Sequence, residues 1–241
     1  MEKIKVVIRN HNDLEEVFIG LRICTDTIDK VTNREEDIER NIKLLKRALS
    51  DEVPHLSVLK HLIYHIYIEG MPRSLLQELV RHQVGVAINV LSTRWALHKI
   101  FNDPELNNLE NDEDRIEFVK KYYFVPPELE VFKDKPETRY IYKNWFFERL
   151  DELLTMRKLR KKYGYKNDKL KHLINENLRT KVYITISALA LRNMFNQRLY
   201  KDAWYPFRHL MKLIWKELPD NHRILYEDIV YKNLKGEQNE I

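Results

Sequence analysis

The chain has 241 residues, 42 of them Lys or Arg and 37 Asp or Glu, for a formal net charge of +5. Aromatic residues make up 11% and the hydrophobic set 44%, proportions that exclude a disordered or fibrous chain and fit a folded domain with a real core. No run approaches the roughly 18 consecutive apolar residues of a membrane span; the best, Val182 to Leu191, includes Thr185 and Ser187. The N-terminal MEKIKVVIRN has no apolar core or small-residue cleavage site of a secretory signal. Cys24 is the sole cysteine, so no internal disulfide can form and a cytoplasmic location is expected. The five glycines are Gly20, Gly70, Gly85, Gly164 and Gly236. None is spaced for G-x-G-x-x-G or for G-x-x-x-x-G-K, which excludes the usual dinucleotide and P-loop folds. A bound nucleotide would be held by side chains and helix ends.

In chain order, residues 3–9 (KIKVVIR) read as a strand. A helix from about Asn12 to Cys24 follows, with Leu14, Val17, Phe18 and Leu21 on one face and Asn12 as cap. Residues 34–50 read as an amphipathic helix through Ile38, Ile42, Leu45 and Leu49. Residues 62–69 alternate in period two, with Leu62, Tyr64, Ile66 and Ile68 on one side, as in a half-buried strand. Gly70 is expected to end it, and Pro72 to open a helix over about 73–82 with Leu75, Leu76, Leu79 and Val80 as its apolar stripe. Residues 102–116 are acidic and turn-rich, a surface excursion, and 121–129 are aromatic and extended because of their prolines. Helices are expected over 143–162, about 178–200 and 204–218. The whole reads as one α+β domain over 1–241, without repeats.

Four polar constellations stand out. Arg73, Glu78, Arg81 and His82 share the predicted short helix, where a surface ion-pair ladder is the plain alternative to a site. Ser92-Thr93-Arg94-Trp95 offers hydroxyls and a bidentate fork to a phosphate, although a loop-to-strand transition explains it equally well. His61 and His65 have ligand-like spacing, but on a strand they would not converge, and no metal is expected. Lys171, Asn193 and Arg198 form the fourth.

Taken together and in order, these residues resemble the flavin-dependent thymidylate synthases, closest to the epsilon-proteobacterial branch. LRIC (21–24) and HLSVLKH (55–61) are similar to early blocks of that family. MPRSLLQELVRHQ (71–83) and NVLSTRW (89–95) resemble its signature, and FVPPEL (124–129) and LRNMFNQR (191–198) its later blocks. The chain departs from the pattern at several points. Gln83 stands where the signature has arginine, and Lys60 where the family has a carboxylate. Val90 replaces an acid or amide, Asp202 replaces a histidine, and VGVAI (84–88) is unusually apolar. Arg81 to Ser92 spans eleven positions where the family has ten.

The resemblance implies an α+β fold with a small antiparallel sheet and surrounding helices, assembled as a homotetramer with shared active sites. It implies FAD as cofactor, NADPH as reductant, methylenetetrahydrofolate as carbon donor and dUMP as the base methylated to dTMP. By position, Arg73, Glu78, Leu79, Val80, Arg81, Val90, Leu91, Ser92, Thr93, Arg94, Lys171 and Arg198 would line the nucleotide. Ser57, Arg81, His82, Gln83, Val90, Ser187, Ala188, Leu189 and Asn193 would face FAD. Arg198 matches the family arginine that contacts the pyrimidine and favours its N3-deprotonated form, so it is the catalytic candidate; a fixed cation lowers a neighbouring acid's pKa. Ser92 reads as a substrate contact, not a nucleophile, because no base adjoins it. Cys24 lies in a predicted apolar helix, in keeping with a reaction that needs no cysteine nucleophile.

Three other readings compete. One is a relative acting on another pyrimidine, by dCMP methylation or hydroxymethylation. A second is a basic nucleic-acid-binding module using RKLRKKYGYK (157–166), discounted because acidic residues nearly balance basic ones. The third is a homologue that has lost its flavin. No nucleic-acid or membrane partner is expected.

Overall fold

A computed structural model describes residues 4–50 and 54–234. In chain order the elements are β1 (Lys5–His11), α1 (Glu15–Ile23), α2 (Glu35–Ser50), β2 (Ile63–Pro72), α3 (Arg73–Leu79), β3 (Val86–Val90), α4 (Thr93–Phe101), α5 (Asp112–Tyr122), α6 (Pro127–Glu130), α7 (Arg139–Tyr163), α8 (Asn167–Leu170), β4 (Arg179–Ser187), α9 (Ala188–Arg198), α10 (Tyr205–Glu217) and α11 (Glu227–Asn233). Lys3 of the first predicted strand and Gly236 lie outside the described residues. The strands form one sheet in the order β1-β2-β4-β3. Its neighbours run antiparallel. The Asn12 amide donates to the Ile63 carbonyl, Ala188 to Leu62, and Ser187 to Gly85. The α+β class with a small antiparallel sheet is therefore what the chain adopts.

The chain packs as two compact units, and β2 and β4 each run on from one into the other. The first comprises residues 1–4, 69–78 and 90–182, and the second 5–68, 79–89 and 183–241. The first unit's core gathers Leu97, Phe101, Phe118, Phe146, Leu153 and Met156 from α4, α5 and α7. In this unit the alternation of buried residues along β2 slips by one between Ile68 and Met71, and Gly70, at φ 83°, stands where it slips. That corrects the expectation that Gly70 ends the strand and that Pro72 starts a helix: both remain in β2.

The second unit's core is built on the alternation read from sequence, with Leu62, Tyr64, Ile66 and Ile68 all buried, and on Val17, Phe18 and Leu21 of α1. Three local expectations change here. Asn12 does not cap α1; its Oδ1 accepts the Ile63 amide at 3.3 Å and so finishes the β1–β2 ladder. The buried face of α2 is Asn41, Leu45 and Ala48, with Ile38 exposed, because Asn41 is held inside by Arg22 Nε at 2.7 Å and by the Lys30 carbonyl. Cys24 is exposed at the end of α1, not in an apolar face.

Elsewhere, α3 stops at Leu79, leaving Val80 exposed. Residues 112–122 are helix, not excursion, and put Phe118 and Val119 in the core. The predicted helix over 178–200 is β4 followed directly by α9. RTKVYITIS buries alternate residues from Thr180 to Ile186, the pattern of a strand rich in β-branched residues.

Gly85 occupies the third place of a turn in which Val86 N–H donates to the Gln83 carbonyl, and it has φ 72°. A Cβ there would lie 2.6 Å from Ser187 Oγ, whereas Gly164, at φ 69° after α7, has nothing within 4 Å. Both alanine variants are strained, but only Gly85→Ala also clashes. Gly85→Ala should cost more than about 1 kcal/mol and lower Tm by several degrees more than Gly164→Ala, as read by thermal unfolding. Equal shifts would refute the contact.

His222 is 1% exposed and neither ring nitrogen has a hydrogen-bond partner among the described residues. Its ring meets His11 edge-on at 4.8 Å and Tyr64 at 5.7 Å. Burial, and then the charge of His11, pull its pKa from 6.5 down to about 4. The unfolded chain therefore binds this proton at higher pH than the folded one. The stability it contributes is complete above about pH 6.5 and is lost as pH falls through 4. Urea unfolding between pH 7 and 4.5 should show a slope that is smaller in His222→Phe; parallel curves would contradict it.

Candidate functional site

The residues singled out in the sequence fall into two groups, one in each unit. In the first unit, Ser92 follows β3 and is the residue before α4, with no side-chain bond to the helix's free amides. This strand-to-helix junction replaces the expected loop-to-strand transition. The Leu91 amide donates to the Lys181 carbonyl at 2.9 Å and pins the junction to β4. The first amides of α4 thus remain open to an acceptor, and a helix N-terminus favours an anion. Arg94 projects from the first turn. Its Nη1 lies 3.4 Å from Asp168 Oδ2, with both side chains more than half exposed, and its carbonyl accepts from Asn167 Nδ2 at 3.0 Å. That ion pair is exposed and long, so it contributes little and yields readily to a stronger anion. Because α8 packs on α4, Lys171, the residue directly after α8, joins the same group.

Arg73 and Glu78 belong to this unit too. Arg73 donates its amide to the Leu178 carbonyl, and Gln77 Nε2 reaches Glu176 Oε1 at 2.6 Å, so α3 is tied to the segment before β4. Val90, the last residue of β3, is exposed. Arg81 and His82 do not extend this helix as expected. They lie past its end, in the second unit.

In the second unit the group is arranged along α9. The turn Leu56–Lys60, which carries exposed Ser57, packs against α9. Gly85 sits on its N-terminus. Ser187 is buried, and its Oγ accepts the Ala190 amide at 3.2 Å; Ala188 is also buried, its amide spent on Leu62. The Ser187 hydroxyl is thus spent on the helix start and the Ala188 methyl is buried, so in this chain neither side chain is open to the surface. Leu79 is 1% exposed and likewise offers only backbone, whereas Leu189 is half-buried and Asn193, Arg81 and Gln83 are exposed.

Arg198 ends α9, where the helix dipole favours a cation. Its Nε donates to His82 Nε2 at 3.3 Å, so that ring nitrogen carries the lone pair and His82 is neutral there. The guanidinium lies 4.7 Å above the buried Phe207 ring, and His82 meets the same ring edge-on at 5.6 Å. Leu191, Met194 and Phe195 are buried as expected and fix the helix beneath. Sequence reading missed Phe207, His82 as the arginine's partner, and Asp168 beside Arg94. Asp168 was detectable as the lone acid in a basic run. The other two meet Arg198 only through the fold.

His61 and His65 do not share a strand. His61 follows the Leu56–Lys60 turn, while His65 on β2 bonds Thr185 at 3.0 Å and stacks on Tyr183. Among the described residues no helix is long and apolar enough to cross a membrane.

Comparison with known proteins agrees with the motif order. The flavin-dependent thymidylate synthase of Wolinella succinogenes is 29% identical over 221 residues, covering 92% of this chain and 96% of that protein. The enzyme of the same name from Campylobacter jejuni is 28% identical over 234 residues, covering 96% and 100%. Both sources lie in the branch to which the motifs pointed. A structure of thymidylate synthase X from Helicobacter pylori with FAD and dUMP has the same fold, with a TM-score of 0.76 at 23% identity over 95% of this chain and 99% of that one. The family profile described as thymidylate synthase complementing protein matches residues 5–222, and the chain belongs to that family.

Proposed function

We propose that this protein is a flavin-dependent thymidylate synthase that methylates dUMP to dTMP, with FAD as cofactor, methylenetetrahydrofolate as carbon donor and NADPH as reductant. The observation that carries the reading is Arg198, clamped between His82 and Phe207 at the end of a helix. The relatives named for this activity, and the related fold bound to FAD and dUMP, support it. We take residues 1–241 as one family domain working in the cytoplasm as a homotetramer with shared active sites. The edge strand β3, with Val90 exposed on it and Val84 exposed in the turn before it, supports assembly.

The donor set suits the flavin. Exposed Arg81, Gln83 and Asn193 supply charge and hydrogen bonds without a glycine loop. When bound, the flavin supplies the reducing equivalents that complete the methyl group. The chain's own residues do the rest. Arg94, the open amides of α4 and Lys171 hold the nucleotide phosphate, which displaces Asp168 from Arg94. Arg198 fixes a planar cation where charge grows on the pyrimidine. His82 accepts its Nε–H and holds the fork in orientation, and Phe207 excludes water from one face.

The purified protein should show a flavin absorption spectrum, and pre-reduced enzyme should methylate dUMP in a single turnover. Arg198→Lys keeps the charge but loses the fork and the stacking, and should slow that turnover on the order of 10²–10³-fold with flavin content unchanged. Parental rates would remove Arg198 from the chemistry. dCMP turning over in place of dUMP would favour the other pyrimidine.

Arg94→Ala should weaken dUMP binding by roughly 1.5–3 kcal/mol, the worth of a charge-assisted hydrogen bond, as measured by calorimetry. Unchanged affinity would make the Ser92–Arg94 junction purely structural.

A further inference from the structure

The basic segment that ends α7 is not accounted for by nucleotide methylation. Residues 157–171 hold eight Lys or Arg and one Asp, more net positive charge than the +5 of the whole chain. A charge run on a helix is ordinarily a solvated face. Elsewhere in this unit several lysines are paired. Lys120 pairs with Glu117, Lys121 with Asp103 and Glu105, Lys143 with Asp112, and Lys181 with Glu69.

Lys99, Lys133 and Lys135 are also exposed with no ion pair among the described residues, but the segment gathers five such lysines. Among the described residues Lys158, Lys161, Lys162, Lys166 and Lys169 have no ion-pair partner, and all five are exposed. Its one acid, Asp168, is turned to Arg94. Gly164, in the left-handed region, ends α7 with its amide on the Arg160 carbonyl and reverses the chain. The reversal brings out Tyr163 and Tyr165, 58% and 45% exposed, with ring centroids 6.5 Å apart and planes 40° from parallel. Lys162 lies 5.3 Å over the first ring and Lys169 5.9 Å over the second.

We propose that this surface binds single-stranded nucleic acid. The lysines match a phosphate backbone and the two rings offer stacking faces to successive bases, the combination by which proteins hold single strands without reading sequence. Charge alone would suit any polyanion, including an oligoglutamate chain. The tyrosines are what favour a ligand that carries bases. Asp168 and Lys171, at the end of the segment, belong to the nucleotide group; Lys158 to Lys166 and the two tyrosines do not, and they are what the proposal rests on.

The test uses the full chain and a labelled oligouridine of roughly 12 nucleotides, followed by fluorescence anisotropy across a salt series. Binding should weaken steeply with salt, and oligoglutamate of equal charge should compete poorly. Tyr163→Ala with Tyr165→Ala should weaken binding at least about 10-fold without changing the salt slope, while Tyr163→Phe with Tyr165→Phe retains parental affinity. Lys161→Gln, Lys162→Gln and Lys166→Gln together should flatten the slope by about 2. No binding of oligouridine, parental affinity in the double alanine variant, loss of affinity in the double phenylalanine variant, or equal competition by oligoglutamate would each overturn the proposal.

Discussion

The second unit depends on what happens at Ser187. There a buried strand becomes a helix with no intervening loop, and the residue serves both elements. Its amide continues the ladder to Gly85, while its hydroxyl caps Ala190. A hydroxyl cap typically contributes about 1 kcal/mol, but here it also fixes direction, since the next amide, that of Ala188, is spent on Leu62. With three consecutive constraints on the junction, α9 leaves the sheet at one angle. The positions of Asn193 and Arg198 follow from that. So does the need for glycine at 85, because Ser187 Oγ occupies the volume a side chain would take.

Two arginines six positions apart on α9 show how the same side chain is used structurally and chemically. Arg192 is buried; Nη1 donates to the Leu225 carbonyl and both terminal nitrogens to Asp228, which fastens α11 and the segment before it to the helix. Its guanidinium is committed to backbone and carboxylate, so removing Asp228 would leave a buried charge uncompensated, the costly way to break such a pair. Arg198 is half-buried; its Nε donates to His82 and its guanidinium lies over the Phe207 ring, contacts that hold the side chain in one orientation.

Much of this was legible in the sequence, and the exceptions have physical causes. The alternation through Leu62, Tyr64, Ile66 and Ile68 reads as a strand because one face is fully buried and the other is not. The same alternation in Thr180, Val182, Ile184 and Ile186 was passed over. It runs without a break into the helical spacing of Leu191, Met194 and Phe195, and no glycine or proline marks the change. Along α2 the polar Asn41 points inward because Arg22 and the Lys30 carbonyl satisfy it, a pairing no periodicity reveals. The site residues were found because their order resembles a family. Their partners His82, Phe207 and Asp168 emerge only when chain segments far apart in sequence meet.

The extra residue between Arg81 and Ser92 can be placed from the sheet register. Six residues separate Gly85 from Leu91 on β3, and six separate Ser187 from Lys181 on β4, and the bonds at both ends are made. The strand therefore has no bulge and cannot hold the insertion. At the other end, the His82 amide donates to the Leu79 carbonyl, so the end of α3 is also closed. What lies between is the turn through Gln83 and Val84, closed by the Val86 amide on the Gln83 carbonyl, with Val84 90% exposed. Gly85 is held against Ser187, so a residue added in this turn meets solvent while His82 keeps its bond to Arg198.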